Sequence, residues 1–174
     1  RLDWLNRQHL RAALADPDKS AGLIQQARAE VAAASGLETA SVRPETVATA
    51  LRLAGDRLTF TKDLYNAVPF MFGDPALDTT AAEQALILVP HEFHIPILNA
   101  LEHALASEVS ESWIGFAKSV AAAAQVPTKH VMMMLRFALT GERFGPKIPE
   151  LLDALPVDSI KRRIRNAKTE IESR

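Results

Sequence analysis

Apolar residues recur three and four positions apart along most of this chain, which is the spacing of one face of an α-helix. The cleanest run comprises Trp113, Phe116, Ala117, Val120, Ala121 and Ala124. Few segments alternate apolar and polar residues with a period of two, as a half-buried β-strand would. The pattern therefore predicts an all-α protein.

Glycine and proline divide this pattern into segments. Gly36, Gly55 and Gly141 follow the end of an apolar period, and Pro44 stands at the start of one, as expected for helix termini. We predict helices at residues 2–15, 21–35, 44–54, 61–73, 80–89, 96–106, 113–124, 129–140, 148–154 and 159–172. The candidate N-caps are, in chain order, Thr59 or Thr61, Thr79 or Thr80, and Asp158.

Length and composition fit one domain or two small ones. The chain has 174 residues, of which 48% are hydrophobic, so it can bury a core. Residues 73–78 form the best internal boundary and predict two packed helical subdomains, residues 1–74 and 75–174. No apolar run approaches the roughly 20 residues of a membrane span, so a soluble protein is expected. Arg1 in place of Met suggests a fragment of a longer protein.

Charge is divided unevenly along the chain. Residues 63–112 contain eight acidic side chains and no Lys or Arg, whereas residues 129–174 contain ten basic and six acidic ones. The opening 62 residues have nine basic and seven acidic side chains. A polyanion would be attracted to the ends of the chain and repelled by its middle, although differently charged solvated faces explain the same pattern.

No segment of the sequence is typical of an active site, and we predict neither catalytic nor metal-binding residues. The absence of cysteine excludes disulfides and thiolate ligands. His91 and His94 lie between Pro90 and Pro96, which favours exposed loop histidines over a metal pair. The run of methionines at 132–134 is interpreted as core filler on a buried helix.

The most informative segment is LRFALTGERFGPKIPELLDAL, residues 135–155. Its first helix is predicted to end at Gly141, and a loop carrying Arg143 and Phe144 follows. A tight loop between two helix ends presents backbone amides, cations and an aromatic face together, which suits an unpaired nucleobase. Arg136 lies within the apolar helix, where its charge must pair or reach water.

The last predicted helix has an apolar seam made by Ile160, Ile164, Ala167 and Ile171. Its cations are expected to project outward from that seam. They are interpreted either as a solvated helix surface or as phosphate contacts that position an RNA without reading its sequence. The cations are Lys161, Arg162, Arg163, Arg165 and Lys168, of which Lys161, Arg162 and Arg165 are the candidate phosphate contacts.

The Leu-Thr-Gly at 139–141, the Gly-Pro at 145–146 and Glu150 resemble a stretch near the C-terminus of bacterial and mitochondrial glutamyl-tRNA synthetases. Residues 1–10, RLDWLNRQHL, resemble the segment that follows the catalytic core of these enzymes, with an ending closer to the mitochondrial branch. Residues 55–72, GDRLTFTKDLYNAVPFMF, resemble the family's arginine-bearing turn and the helix after it. The resemblance covers essentially the whole chain.

This resemblance implies the C-terminal, all-helical anticodon-binding region of a class I synthetase. Residues 1–74 would then contain post-catalytic linker helices, and residues 75–174 the anticodon-binding bundle. The fragment would need no cofactor and would not be catalytic, because the Rossmann-type domain that uses ATP and Mg²⁺ would lie upstream. The partner would be glutamate tRNA, with acceptance of glutamine tRNA left open. A monomer without membrane contact is expected, in the mitochondrial matrix or in a bacterial-type cytoplasm.

The resemblance also assigns roles to individual residues. Arg57 matches an arginine that reads the third anticodon base, a cytosine, and Arg136 matches one that contacts the anticodon. The first two bases would rest on a loop and helix start made by Gly145, Pro146 and Ile148. Phe144 departs from the bacterial pattern, and we infer that it stacks a base. The alternative is a helical protein-interaction scaffold derived from the same fold.

Overall fold

The computed structural model describes residues 2–106 and 112–174, and all regular structure within them is helical. This confirms the all-α prediction. No helix in these ranges combines the length and apolar character that crossing a bilayer would need. The α-helices are α1 (Leu2–Ala15), α2 (Pro17–Ser35), α3 (Pro44–Ala54), α4 (Leu64–Ala67), α5 (Thr80–Leu86), α6 (His94–Ala106), α7 (Trp113–Ala124), α8 (Thr128–Thr140), α9 (Ile148–Ala154) and α10 (Val157–Glu172).

The chain forms two compact units, residues 1–73 and 74–174. In the first unit, α2 contacts α1, α3 and α4, and the core is formed by α2, α3 and the segment that follows α3. Helix α1 buries none of its residues, and Trp4 is 60% exposed. The largest fully buried side chains of this unit are Leu51, Leu58, Leu64 and Phe70.

The helix predicted at residues 61–73 is interrupted. The structure has a 3₁₀ turn at Thr61–Asp63, then α4, then a second 3₁₀ turn at Pro69–Met71. Pro69 lacks an N–H and disfavours helical geometry at Val68, whose φ and ψ are −146° and 58°. The predicted cap at Thr59 or Thr61 is also wrong, because Phe60 precedes the first turn and Asp63 precedes α4, and neither caps with its side chain. The Thr61 hydroxyl instead accepts a hydrogen bond from Gln26 at 3.2 Å.

Helix α8 is the centre of the second unit. It contacts α5, α6, α7, α9 and α10, and α10 also packs along α6. The inward side of α8 is completely buried, so its position is fixed by neighbours on several sides. The fully buried side chains on α8 include Val131, Met134, Leu135, Phe137, Ala138 and Leu139.

Several predicted helix ends are confirmed. Gly36 and Gly141 take left-handed conformations after α2 and α8, with φ of 72° and 65°. Thr79 caps α5 by accepting a hydrogen bond from the Ala82 N–H at 3.2 Å. The predicted cap at Asp158 is wrong, because α10 begins at Val157, two residues before the predicted start, and Asp158 lies in its first turn.

The prediction that His91 and His94 are exposed loop residues is correct only for the exposure of His91, which lies in a 3₁₀ turn, His91–Phe93. His94 begins α6, is 5% exposed, and its Nε2 donates to the Val89 carbonyl over 2.8 Å. Burial lowers the pKa of His94. Helix α6 tolerates Pro96 because first-turn N–H groups have no acceptor within the helix.

Candidate nucleic-acid interface

The loop that follows α8 starts from a well-defined helix end. The Gly141 N–H donates to the Phe137 carbonyl over 2.9 Å. The Thr140 hydroxyl donates to the Arg136 carbonyl at 2.8 Å and accepts from the Glu142 N–H at 3.1 Å. Thr140 and Gly141 therefore fix the direction in which the loop leaves α8.

Arg136 joins the far end of this loop to α8. Its Nη2 donates to the Pro146 carbonyl over 2.8 Å, although Arg136 remains partly exposed. Pro146 is buried, and Ile148, at the start of α9, is 4% exposed. The resemblance implies that bases rest on Pro146 and Ile148, but both side chains are buried, and Pro146 supports the loop from inside. Gly145 is half-buried beside it.

Phe144 projects from the middle of the loop. Its side chain is 75% exposed, and the Arg143 guanidinium lies 5.1 Å from the ring centroid. Guanidinium and aromatic planes both stack on nucleobases, and together they extend the stacking surface. This part of the loop therefore combines an aromatic surface with a positive charge.

The loop, α8 and the start of α9 enclose a groove of about 760 Å³. Of the described residues that line it, four are cationic and none is acidic. The cations are Lys129, Arg136, Arg143 and Lys147, and the apolar lining comes from Ala85, Leu88, Met132, Met133, Phe144, Ile148 and Pro149.

This lining places four cationic side chains beside apolar walls. Lys147 also pairs with Glu150 at 3.6 Å, but both side chains are more than half exposed, so the pair is weak. Clefts lined by one sign of charge concentrate ligands of the opposite sign. The groove is therefore suited to a ligand that combines phosphates with flat aromatic groups.

Arg57 belongs to the first unit. It ends a 3₁₀ turn, Gly55–Arg57, that follows α3, and its side chain is exposed. Its Nη2 donates to the Leu53 carbonyl over 3.2 Å. This bond orients the guanidinium, whose fork has further N–H groups that can bond a ligand.

The cations of α10 do not all project outward as predicted. The seam of Ile160, Ile164, Ala167 and Ile171 is buried as expected, but Arg163 is buried with it at 3% exposure. Its Nη1 donates to the Leu139 carbonyl at 2.9 Å, and its Nε donates to Asp74 at 3.2 Å. Arg163 therefore belongs to the interior of this unit.

Arg162, a candidate phosphate contact, already has a carboxylate partner. Its Nε and Nη2 bond the two oxygens of Asp74 at 2.9 and 2.8 Å. Lys168 pairs with Glu102 at 3.1 Å. The remaining candidates, Lys161 and Arg165, line a separate small pocket of about 210 Å³ that also contains Glu102. Three of the five α10 cations thus have carboxylate partners, with Asp74 shared by two of them, whereas the lining of the groove has four cations and no acidic side chain.

The sequence analysis did not select Lys129 or Lys147, and it noted Arg143 as a cation of the loop without assigning it a contact. It also placed all three methionines of the 132–134 run in the core, whereas only Met134 is fully buried and the other two line the groove. The sequence did contain part of the evidence for this lining, because positions 129, 132, 133 and 136 share one helix face.

Comparisons with known proteins identify the family and similar structures. The sequence profile of the family described as "Anticodon binding domain" matches residues 21–168. The glutamate tRNA ligase of Elizabethkingia meningosepticum, crystallised in complex with its amino acid, is similar with a TM-score of 0.71 and 27% identity. The match covers 97% of this chain and 32% of that ligase.

The glutamate-tRNA synthetase of Elizabethkingia anophelis is similar with a TM-score of 0.67 and 25% identity, over 96% of this chain and 31% of that enzyme. This chain thus spans about a third of the length of the two enzymes. No curated protein matches it significantly in sequence. Because the family profile covers most of the sequence, the chain belongs to the anticodon binding domain family.

Proposed function

We propose that this chain binds the anticodon loop of glutamate tRNA and is the anticodon-binding part of a glutamate–tRNA ligase. Family membership and the two similar ligases support the assignment. The observation that carries it is the groove, where four cations and an exposed Phe144 occur without an acidic lining residue. Aminoacylation with ATP and Mg²⁺ would be carried out by a catalytic domain elsewhere in the longer protein.

In this proposal, different residues of the groove make different contributions to RNA binding. Lys129, Arg143 and Lys147 contact phosphates, which supplies affinity without reading sequence. Phe144 stacks an unpaired base. Arg136 holds the Pro146 carbonyl and so keeps the loop in one shape before RNA arrives, which reduces the ordering cost of binding.

Replacing Phe144 with alanine is expected to weaken binding of a glutamate anticodon stem-loop about tenfold, because one base–aromatic stack contributes about 1–3 kcal/mol. Stability should hardly change, since the ring is 75% exposed. Fluorescence anisotropy titrations at several salt concentrations measure the effect. Ile87→Ala is the matched control, because Ile87 is 80% exposed and does not line the groove. Equal affinity of the two variants would contradict the proposed stacking.

Arg57 is proposed to read the third anticodon base. Cytosine offers O2 and N3 as acceptors to a guanidinium, whereas guanine presents N–H donors that would face the donors of Arg57. Opposed donors leave polar groups unsatisfied, which costs about 1–3 kcal/mol.

Arg57→Gln is therefore expected to reduce the preference for cytosine over guanine at the third position about tenfold, with a smaller loss of overall affinity. Competition between two stem-loops that differ only at this base measures the preference. Arg52→Gln is the control, because it removes another exposed arginine, which lies on α3. An unchanged cytosine preference in Arg57→Gln would remove Arg57 from the recognition site.

A further inference from the structure

Two methionines form an apolar shelf on the groove side of α8. Lys129, Met132, Met133 and Arg136 all line the groove, and their spacing places them on one face of the helix. Met132 and Met133 are half-buried, whereas their neighbour Met134 is fully buried. The two cations lie about 10 Å apart along the helix axis, at either end of this methionine shelf.

The chemistry of the shelf favours a flat aromatic ligand. Thioether side chains are flexible and polarisable, and they make favourable contacts with aromatic rings. Ala85 and Leu88 add further apolar atoms to the same lining. A ring lying on the shelf would remove this surface from water without needing a specific hydrogen bond.

Lys129 occupies a position where its charge does not stabilise the helix that carries it. It occupies the first turn of α8, where the helix dipole disfavours a positive charge. It is exposed, and none of the ion pairs formed by the described residues involves it. Its ammonium group is therefore available to a phosphate at the edge of the shelf.

We propose that the methionine shelf binds the base of one further unpaired nucleotide of the tRNA loop, outside the three anticodon bases, with its phosphate at Lys129. This inference rests on the proposed function and extends the same groove. Because methionine offers the base no hydrogen-bond donor and only a weak acceptor, the subsite accepts any base and contributes affinity rather than specificity.

The test uses the full chain and an RNA hairpin that carries the glutamate anticodon loop. Abasic nucleotides replace each loop position in turn, and each hairpin is titrated against the wild type and against Met132→Ser/Met133→Ser. We expect one position outside the anticodon whose abasic form weakens wild-type binding about five- to a hundred-fold. The double serine variant should show a similar loss with the intact hairpin, and little further loss with that abasic hairpin.

Four further variants distinguish the contribution of the shelf from general effects on binding. Met132→Leu/Met133→Leu retains apolar volume and should bind nearly as well as the wild type, whereas Ile114→Ser changes an exposed apolar residue outside the groove and should have no effect. Lys129→Gln should reduce the slope of log K against log salt by about 0.7, as expected for one lost single-strand phosphate contact. Lys118→Gln, an exposed lysine on α7 outside the groove lining, should leave the slope unchanged.

The outcomes distinguish this inference from the proposed function. If the wild type binds the hairpin but tolerates every abasic position outside the anticodon, the shelf is not a nucleotide site and anticodon binding stands. Independent, additive losses from the serine variant and from each abasic position would also overturn the inference. If the wild type binds no hairpin, the proposed function fails and this inference fails with it.

Discussion

Replacing Asp74 with alanine is expected to lower the free energy of unfolding of the 74–174 unit by about 3 kcal/mol, because it takes the carboxylate away from a buried guanidinium. Arg163 has a side chain only 4% exposed and bonds Asp74 at 3.2 Å. Its bond to the Leu139 carbonyl keeps the guanidinium inside after the substitution. Denaturant titration followed by circular dichroism measures the change.

A variant cycle isolates the cause of this loss. Arg162→Ala breaks the exposed pair with the same carboxylate and should cost less than about 1 kcal/mol, since Arg162 is 52% exposed. Asp74→Ala/Arg163→Met replaces the buried charge with an apolar chain and should recover at least half of the loss. Equal costs for Asp74→Ala and Arg162→Ala would show that the buried charge does not depend on Asp74.

The ion pairs of Asp74 with Arg162 and Arg163 also predict how the stability of this unit depends on pH. The Arg162 guanidinium, with a smaller contribution from Arg163, holds the pKa of Asp74 below its ordinary value. A carboxyl whose pKa falls on folding stabilises the protein above its unfolded pKa, about 3.9, and loses this contribution as pH falls through the folded value. The stability difference between wild type and Asp74→Ala should therefore be constant above about pH 5 and shrink below pH 4.

Helix positions could be predicted from the sequence because their determinants are local. The end of α8 at Gly141 and the start of α9 at Ile148 follow from the chain's own spacing and turn residues. The burial of Arg163 could not be predicted in this way. Its partner Asp74 lies 89 positions earlier in the sequence, and no helical pattern indicates which polar side of α10 will meet it.

The candidate site could also be predicted only in part from the sequence. The loop with Arg136 and Phe144 is contiguous in sequence, so its residues could be selected together. The groove is not contiguous, because Ala85 and Leu88 complete its lining from a distant segment. Met132 therefore has the apolar character of a core residue in the sequence, and only the packing of these segments shows that one side of α8 remains open.

Gly141→Ala is expected to destabilise the 74–174 unit by about 3 kcal/mol through two separate effects. A non-glycine residue at a left-handed φ costs about 1–2 kcal/mol. The added Cβ would also lie 2.8 Å from the Ala76 carbonyl oxygen, a contact that backbone atoms must move to relieve. Overpacking of this kind typically costs a further 1–3 kcal/mol.

Gly36→Ala supplies the matched control for Gly141→Ala, because Gly36 ends α2 with a similar φ of 72° and a Cβ there would meet no atom within 4 Å. It should cost only the conformational part, about 1–2 kcal/mol. Asparagine tolerates left-handed geometry, so Gly36→Asn should be nearly neutral while Gly141→Asn remains destabilised by its contact with Ala76.

Thermal melts of the four variants give the comparison. Similar losses at the two glycines would mean that the Ala76 carbonyl does not restrict this position. A larger loss at Gly141 would show that this carbonyl helps to fix the start of the loop that carries Phe144.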